Sequence, residues 1–213
     1  WLGDFGGWAP YEAGVLDLCQ TAMETFAAMG CEVESASPEG DLDAAWQSFI
    51  TIRHWLQGSN LGVYYGNPKT RAQLKPEAIY EIEGGMKLTA FQVMAASAAR
   101  TRWYNSFRRL FARFDYVVLP TAQTFAFDIN EHWPREIAGH AMQTYHEWMK
   151  ATCLISMTGC PSLAVPAGFD ARGRSMGIQI VAPIHRELEC LRLAHAFQQA
   201  SDWNKALPAL LQS

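Results

Sequence analysis

The 213-residue sequence contains no Gly-x-x-x-x-Gly-Lys loop and no Gly-x-Gly-x-x-Gly turn. These absences remove the sequence grounds for a phosphate cradle and a dinucleotide site. No two cysteines have Cys-x-x-Cys spacing, and no histidine stands in a His-Glu-x-x-His or mixed Cys/His spacing. No metal and no cofactor is therefore expected. Positive charge is not in excess: 17 Lys and Arg against 21 Asp and Glu leave a net charge of -4. That balance argues against nucleic acid or a membrane surface as a partner. No apolar run approaches the roughly 20 residues of a membrane helix, and no secretory leader is visible. Cys19, Cys31, Cys153, Cys160 and Cys190 are an odd set scattered along the chain, which suits reduced thiols and a cytoplasmic location. The chain opens on Trp1, in what reads as the end of a strand, so a piece of a longer polypeptide is expected.

What is present is a full α/β pattern. Trp1 to Phe5 reads as a short strand before the Gly6-Gly7 turn. Val15, Leu16, Cys19, Ala22, Met23, Phe26 and Ala27 give a helical face closed by Gly30, and Cys31 to Ser35 reads as a strand. Asp41 is placed to cap a helix running to Ile52, with 58–68 as a Gly, Asn and Tyr-rich loop. Pro76 to Ile82 reads as a short helix ended by Gly84 and Gly85, and the acidic pair Glu81 and Glu83 as solvated. Thr89 and Gln92 form a capping-box pattern ahead of a helix whose buried side is marked by Phe91, Met94, Ala95, Ala98, Phe107, Leu110, Phe111 and Phe114. Tyr116 to Leu119 is a buried strand stopped by Pro120. A long irregular stretch from Thr121 to Gly139 follows, then a helix from about Ala141 to Met157. Two buried strands, Leu163 to Val165 and Ile178 to Val181, precede a closing helix from Leu188 to Ala200. The whole reads as one α/β unit over residues 1–213, a layered α/β/α sandwich with a mixed sheet.

Several of these segments, in order, resemble the C-terminal part of the amidase signature hydrolases. They are W-L-G-D-F-G-G-W-A-P, F-D-Y-V-V-L-P-T-A, T-G-C-P-S-L-A-V-P-A-G-F-D, G-R-S-M-G-I-Q-I-V-A-P and L-R-L-A-H-A-F-Q. The resemblance implies the C-terminal portion of that family's fold. It also implies a chemistry in which a lysine, a serine on a cis peptide and an acylated serine cleave an amide, with backbone amides as oxyanion donors. No Ser-Ser pair and no Gly-Gly-Ser-Ser-Gly run is present, and Lys69, Lys75, Lys87, Lys150 and Lys205 lack the matching context. No catalytic residue is assigned, and an N-terminal catalytic half is the implied partner.

What the resemblance leaves to this chain is pocket wall for a small-molecule amide. His146, Met149 and Cys153 are spaced three and four apart, and Phe125 and Trp133 lie in the long loop. These five are the candidate substrate-binding residues, with core packing as the competing reading. Two functions follow: the scaffold and pocket portion of an amidase that is inactive alone, or a non-catalytic subunit of a split amidase or amidotransferase complex. A hydrolytic site around His146 and the Thr121–Gly139 loop is a weaker third. A sheet separated from its other half is expected to expose an apolar edge or face and to favour homodimers.

Overall fold

The computed structural model describes residues 1–201, so Lys205 lies outside them. The elements are α1 (Val15–Ala28), α2 (Leu42–Tyr65), α3 (Pro68–Arg71), α4 (Pro76–Met86), α5 (Ala90–Leu110), β1 (Val117–Pro120), β2 (Glu136–Ile137), β3 (His140–Ala141), α6 (Lys150–Thr158), β4 (Ser162–Phe169), β5 (Ser175–Val181) and α7 (Glu187–Ala200). The chain divides into two compact units, one made of Trp1–Glu39 with the chain from Phe107 onward, the other of Gly40–Ser106.

The first unit is built on a three-stranded sheet in the order β1-β5-β4, antiparallel throughout. The central strand is buried on both faces, with Ile178, Ile180 and Val181 fully out of water and Gln179 nearly so. Gln179 escapes the cost of burial by donating to the Pro120 carbonyl and accepting from the Ser162 hydroxyl. α1 and α7 lie against the sheet, joined by the stacked rings of Phe26 and Phe197, whose centroids are 4.7 Å apart. Gly177 on β5 is a close-approach glycine: a Cβ there would sit 3.0 Å from Thr121 Oγ1 and 3.1 Å from the Val165 carbonyl oxygen.

The Trp1–Phe5 and Cys31–Ser35 segments form no ladder. Instead, the Trp1 amine donates to the Glu34 carbonyl at 2.7 Å and the Ala36 N–H donates to Trp1 at 2.9 Å, one rung of parallel pairing. The chain turns away at once, because Gly3, Phe5, Gly6 and Gly7 all have positive φ.

In the second unit α2 continues unbroken through the glycines and asparagine of 58–65, and α4 continues through Gly84 and Gly85. Sequence punctuation misleads here because these glycines are where two helices touch: a Cβ on Gly58 would be 3.2 Å from the Cα of Gly85. The same packing buries Glu81, which is 1% exposed and not solvated. Its carboxylate meets His54 Nδ1 at 2.8 Å and Arg53 Nε at 3.3 Å. The Asp41 cap and the Thr89–Gln92 capping box are both formed. The inward face of α5 is not the one its largest apolar residues suggest. Ala96, Ala99, Trp103, Phe107 and Leu110 are buried, whereas Phe91 is 88% exposed and Met94 69% exposed. Small residues are selected where the helix approaches its neighbours closely, as where the Ser48 hydroxyl donates to the Ala96 carbonyl at 2.6 Å.

Cys19 on α1 is fully buried and points its sulfur at the Gly177 carbonyl. Burial pushes its thiol from an ordinary 9.0 up to about 12. The folded chain therefore keeps a proton that the unfolded chain releases above pH 9, so this contribution to stability is full below pH 9 and is lost as pH rises toward 12. The urea midpoint is expected to fall between pH 8 and pH 10.5, and Cys19→Ala to flatten that fall; parallel slopes in both proteins would exclude Cys19 as the cause. Among the described residues no helix is long and apolar enough to cross a membrane.

Candidate functional site

The segment from Thr121 to Met149 in the first unit carries most of the candidate residues, and its anchoring starts at β1. Pro120 ends the strand, and the Thr121 N–H and hydroxyl both donate to the Gly177 carbonyl at 2.9 Å. Gln123, fully buried, donates to the Pro10 carbonyl at 2.9 Å and accepts the Glu12 N–H on its own backbone carbonyl at 2.8 Å. The Phe125 N–H then donates to the Glu12 carboxylate at 3.0 Å. The loop is thus stitched to residues 10–12, more than a hundred positions earlier.

Arg174 completes the node. Its guanidinium meets Glu12 and Asp170 at 2.8 Å each and lies 4.3 Å above the Phe125 ring. Burial alone would raise the Asp170 carboxyl. The amides of Arg174 and Arg172 and the Arg174 guanidinium override that and hold it below the usual carboxylate range. Phe125 is 2% exposed. Its ring lies under the Arg174 guanidinium, and its N–H ties the loop to Glu12.

The helix expected from Ala141 begins later. Glu136–Ile137 and His140–Ala141 pair as a miniature hairpin, with Ala138 and Gly139 both at positive φ in the manner of a two-residue primed turn. A 3-10 turn over Glu147–Met149 leads into α6, which Gly159 ends in a left-handed conformation, as its position before Cys160-Pro161 suggests. His146 stands just before the 3-10 turn and Met149 just before α6, so His146, Met149 and Cys153 are not spaced along a single helix. His146 is 1% exposed with its ring 3.9 Å from Tyr145, Cys153 is 7% exposed and Met149 is half-buried. Trp133 is half-buried under the Arg135 guanidinium, 3.8 Å from its ring.

Four residues that the sequence did not mark also shape this region. Trp148 meets Phe127 edge-on at 5.4 Å, and Lys150 sits 4.5 Å over the Trp8 ring, which holds the N-terminal turn against the start of α6. Glu12 and Arg174 are 162 positions apart, and nothing local in the sequence links them. Among the described residues the arrangement offers aromatic and thioether surface and hydrogen-bonded loop backbone.

Comparisons place this geometry in a family. The family profile described as Amidase matches residues 3–191. A glutamyl-tRNA(Gln) amidotransferase subunit of Chromobacterium violaceum is 38% identical over 106 residues, 50% of this chain and 21% of that protein. The corresponding amidotransferase protein of a Synechococcus species is 29% identical over 206 residues, 86% of this chain and 41% of that protein. Among solved structures, a bacterial aryl acylamidase of the amidase signature family superposes with a TM-score of 0.81 at 22% identity, over 94% of this chain and 43% of its own. A 6-aminohexanoate cyclic dimer hydrolase bound to substrate gives 0.82 at 21% identity, over 98% of this chain and 45% of its own. The chain spans less than half the length of each of these proteins. Its ordered motifs, its fold and a profile match over nearly its whole described length agree: the chain belongs to the amidase signature family.

Proposed function

We propose that this chain is the C-terminal scaffold and substrate-pocket portion of an enzyme that hydrolyses a carboxylic amide C–N bond, and that it is inactive alone. The observation that supports this most is a family match over residues 3–191 in a sequence with no Ser-Ser pair and no Gly/Ser-rich oxyanion run. A scaffold of this kind supplies position and desolvation, and the nucleophile comes from the portion of the fold the chain does not span. The test is turnover of simple aryl and alkyl amides by the purified chain. No release of amine above the uncatalysed rate is expected, and clear turnover by uncontaminated protein sinks the reading.

Within it, Phe125, Trp133, His146, Met149 and Cys153 form part of the wall on the acyl side, leaning towards an aryl or alkyl acyl group. Half-buried Met149 is the adaptable member, its unbranched thioether moulding to the ligand. In the intact enzyme Met149→Ala is expected to raise KM about tenfold for an aryl amide and leave kcat within about twofold. An unchanged KM removes Met149 from the wall.

The second reading, a non-catalytic component of a split amidase or amidotransferase complex, rests on relatives that are themselves subunits of a glutamyl-tRNA(Gln) amidotransferase. An initiator codon just upstream of Trp1, with no Ser/Gly-rich coding segment before it, would favour it.

A further inference from the structure

One carboxylate ties together three parts of the first unit that are distant in sequence. Glu12 Oε1 accepts from the Arg174 guanidinium at 2.8 Å, and Glu12 Oε2 accepts from the Phe125 N–H at 3.0 Å. Both oxygens are thus engaged, one by the β4–β5 turn and one by the backbone of the long loop. Arg174 is aimed from within its own turn. Asp170 Oδ1 accepts the Arg172 N–H at 2.9 Å and the Arg174 N–H at 2.8 Å. Asp170 Oδ2 accepts from the guanidinium itself at 2.8 Å. With one edge on Asp170 and one nitrogen on Glu12, the guanidinium plane is fixed, and it stands 4.3 Å over the Phe125 ring. The ring also reaches the start of α1: a Cβ on Gly14 would meet it at 3.9 Å.

As a stabiliser of the fold this pair counts for little. The Arg174 and Glu12 side chains are 27% and 33% exposed, so water and salt screen their attraction. What the pair fixes is position. Phe125 is buried, and none of residues 126–133 is. That stretch therefore takes its course from its anchors: the Phe125 node where it begins, and the edge-on contact of Phe127 with Trp148. Trp133 lies at its far end.

We infer that Glu12 and Arg174 are positioning residues of the acyl pocket. They hold the 121–139 loop where its aromatic residues favour an aryl over a short alkyl acyl group. Neither side chain needs to touch the substrate, since both act through the backbone and ring of Phe125. The inference rests on the reading of the chain as the pocket portion of an amidase.

The test measures hydrolysis of an aryl-acid amide and a short alkyl-acid amide by the intact enzyme and its variants. Glu12→Gln keeps the side-chain shape but replaces one of the two acceptor oxygens by a donor, so Arg174 or the Phe125 N–H loses its partner. Arg174→Met keeps an unbranched chain and removes the charge and the fork. Each is expected to raise KM for the aryl amide about tenfold with kcat within about twofold. For the alkyl amide kcat/KM should stay within about twofold. The double variant is expected to match the single ones at about tenfold, because both break one clamp. Glu12→Gln carries the test by itself where Arg174→Met does not fold. An unchanged aryl KM in Glu12→Gln overturns the inference and leaves the pocket reading standing. An equal loss on both amides makes the node a structural feature only and overturns it too. A rise of about 100-fold in the double variant means two independent contacts and overturns the shared clamp. Intact wild-type enzyme that turns over no amide overturns the amidase reading, and the inference with it.

Discussion

Gly85→Ala is expected to destabilise the helical unit by about 3 kcal/mol. A Cβ at this position overlaps the backbone carbonyl oxygen of His54 and comes within 3.1 Å of the Cα of Gly58. Both obstacles are main chain in α2, so relief requires the helices to separate and the packing around Glu81 and His54 to loosen. The neighbouring Gly84→Ala provides the comparison. Its Cβ meets the His54 ring at 2.6 Å, a side chain that can swing away at the cost of its 2.8 Å contact with Glu81. That change should cost about 1 to 2 kcal/mol. Urea unfolding followed by far-UV circular dichroism distinguishes the two, and equal midpoints for Gly85→Ala and Gly84→Ala would contradict the backbone-contact account.

Phe197→Ala is expected to cost about 4 kcal/mol. Phe197 is 1% exposed and stacks on Phe26, so truncation empties a ring-sized space between α7 and α1 and removes an aromatic pair as well. Phe91→Ala is the matching control. The same atoms are deleted from a residue that is 88% exposed, and stability should stay within about 0.5 kcal/mol. A loss at Phe91 comparable with that at Phe197 would mean that the α5 surface is covered in solution.

These two phenylalanines mark where the sequence is readable. The pattern of α7 puts Leu191, Ala194 and Phe197 inward; Ala194 and Phe197 are buried and Leu191 is 53% exposed. α5 has two apolar stripes, and hydrophobicity alone favours the larger side chains, whereas close helix approach favours the alanines. Capping residues were legible because their effect is local: Asp41, Thr89 with Gln92, and the glycines Gly30 and Gly159 all act within one turn. Gly58, Gly84 and Gly85 were not, because the same residue that ends an isolated helix also allows two helices to touch. The start of α6 was hidden by the Ala138-Gly139 turn, whose positive φ values no periodicity reports. In the candidate site the residue types were visible and the framework was not. Arg174 and Glu12 are paired only because the Asp170–Arg174 turn and the residues before α1 meet in space.

The division into two units sets an order of folding. Gly40–Ser106 is one uninterrupted stretch, and its helix contacts close over short separations, so it can form while later residues are still being synthesised. Trp1–Glu39 has no such option. Its apolar face of Val15, Cys19 and Phe26 has to wait for β5 and α7, made more than a hundred residues later. The half of this unit that is made first is thus among the last to find its partners within the unit.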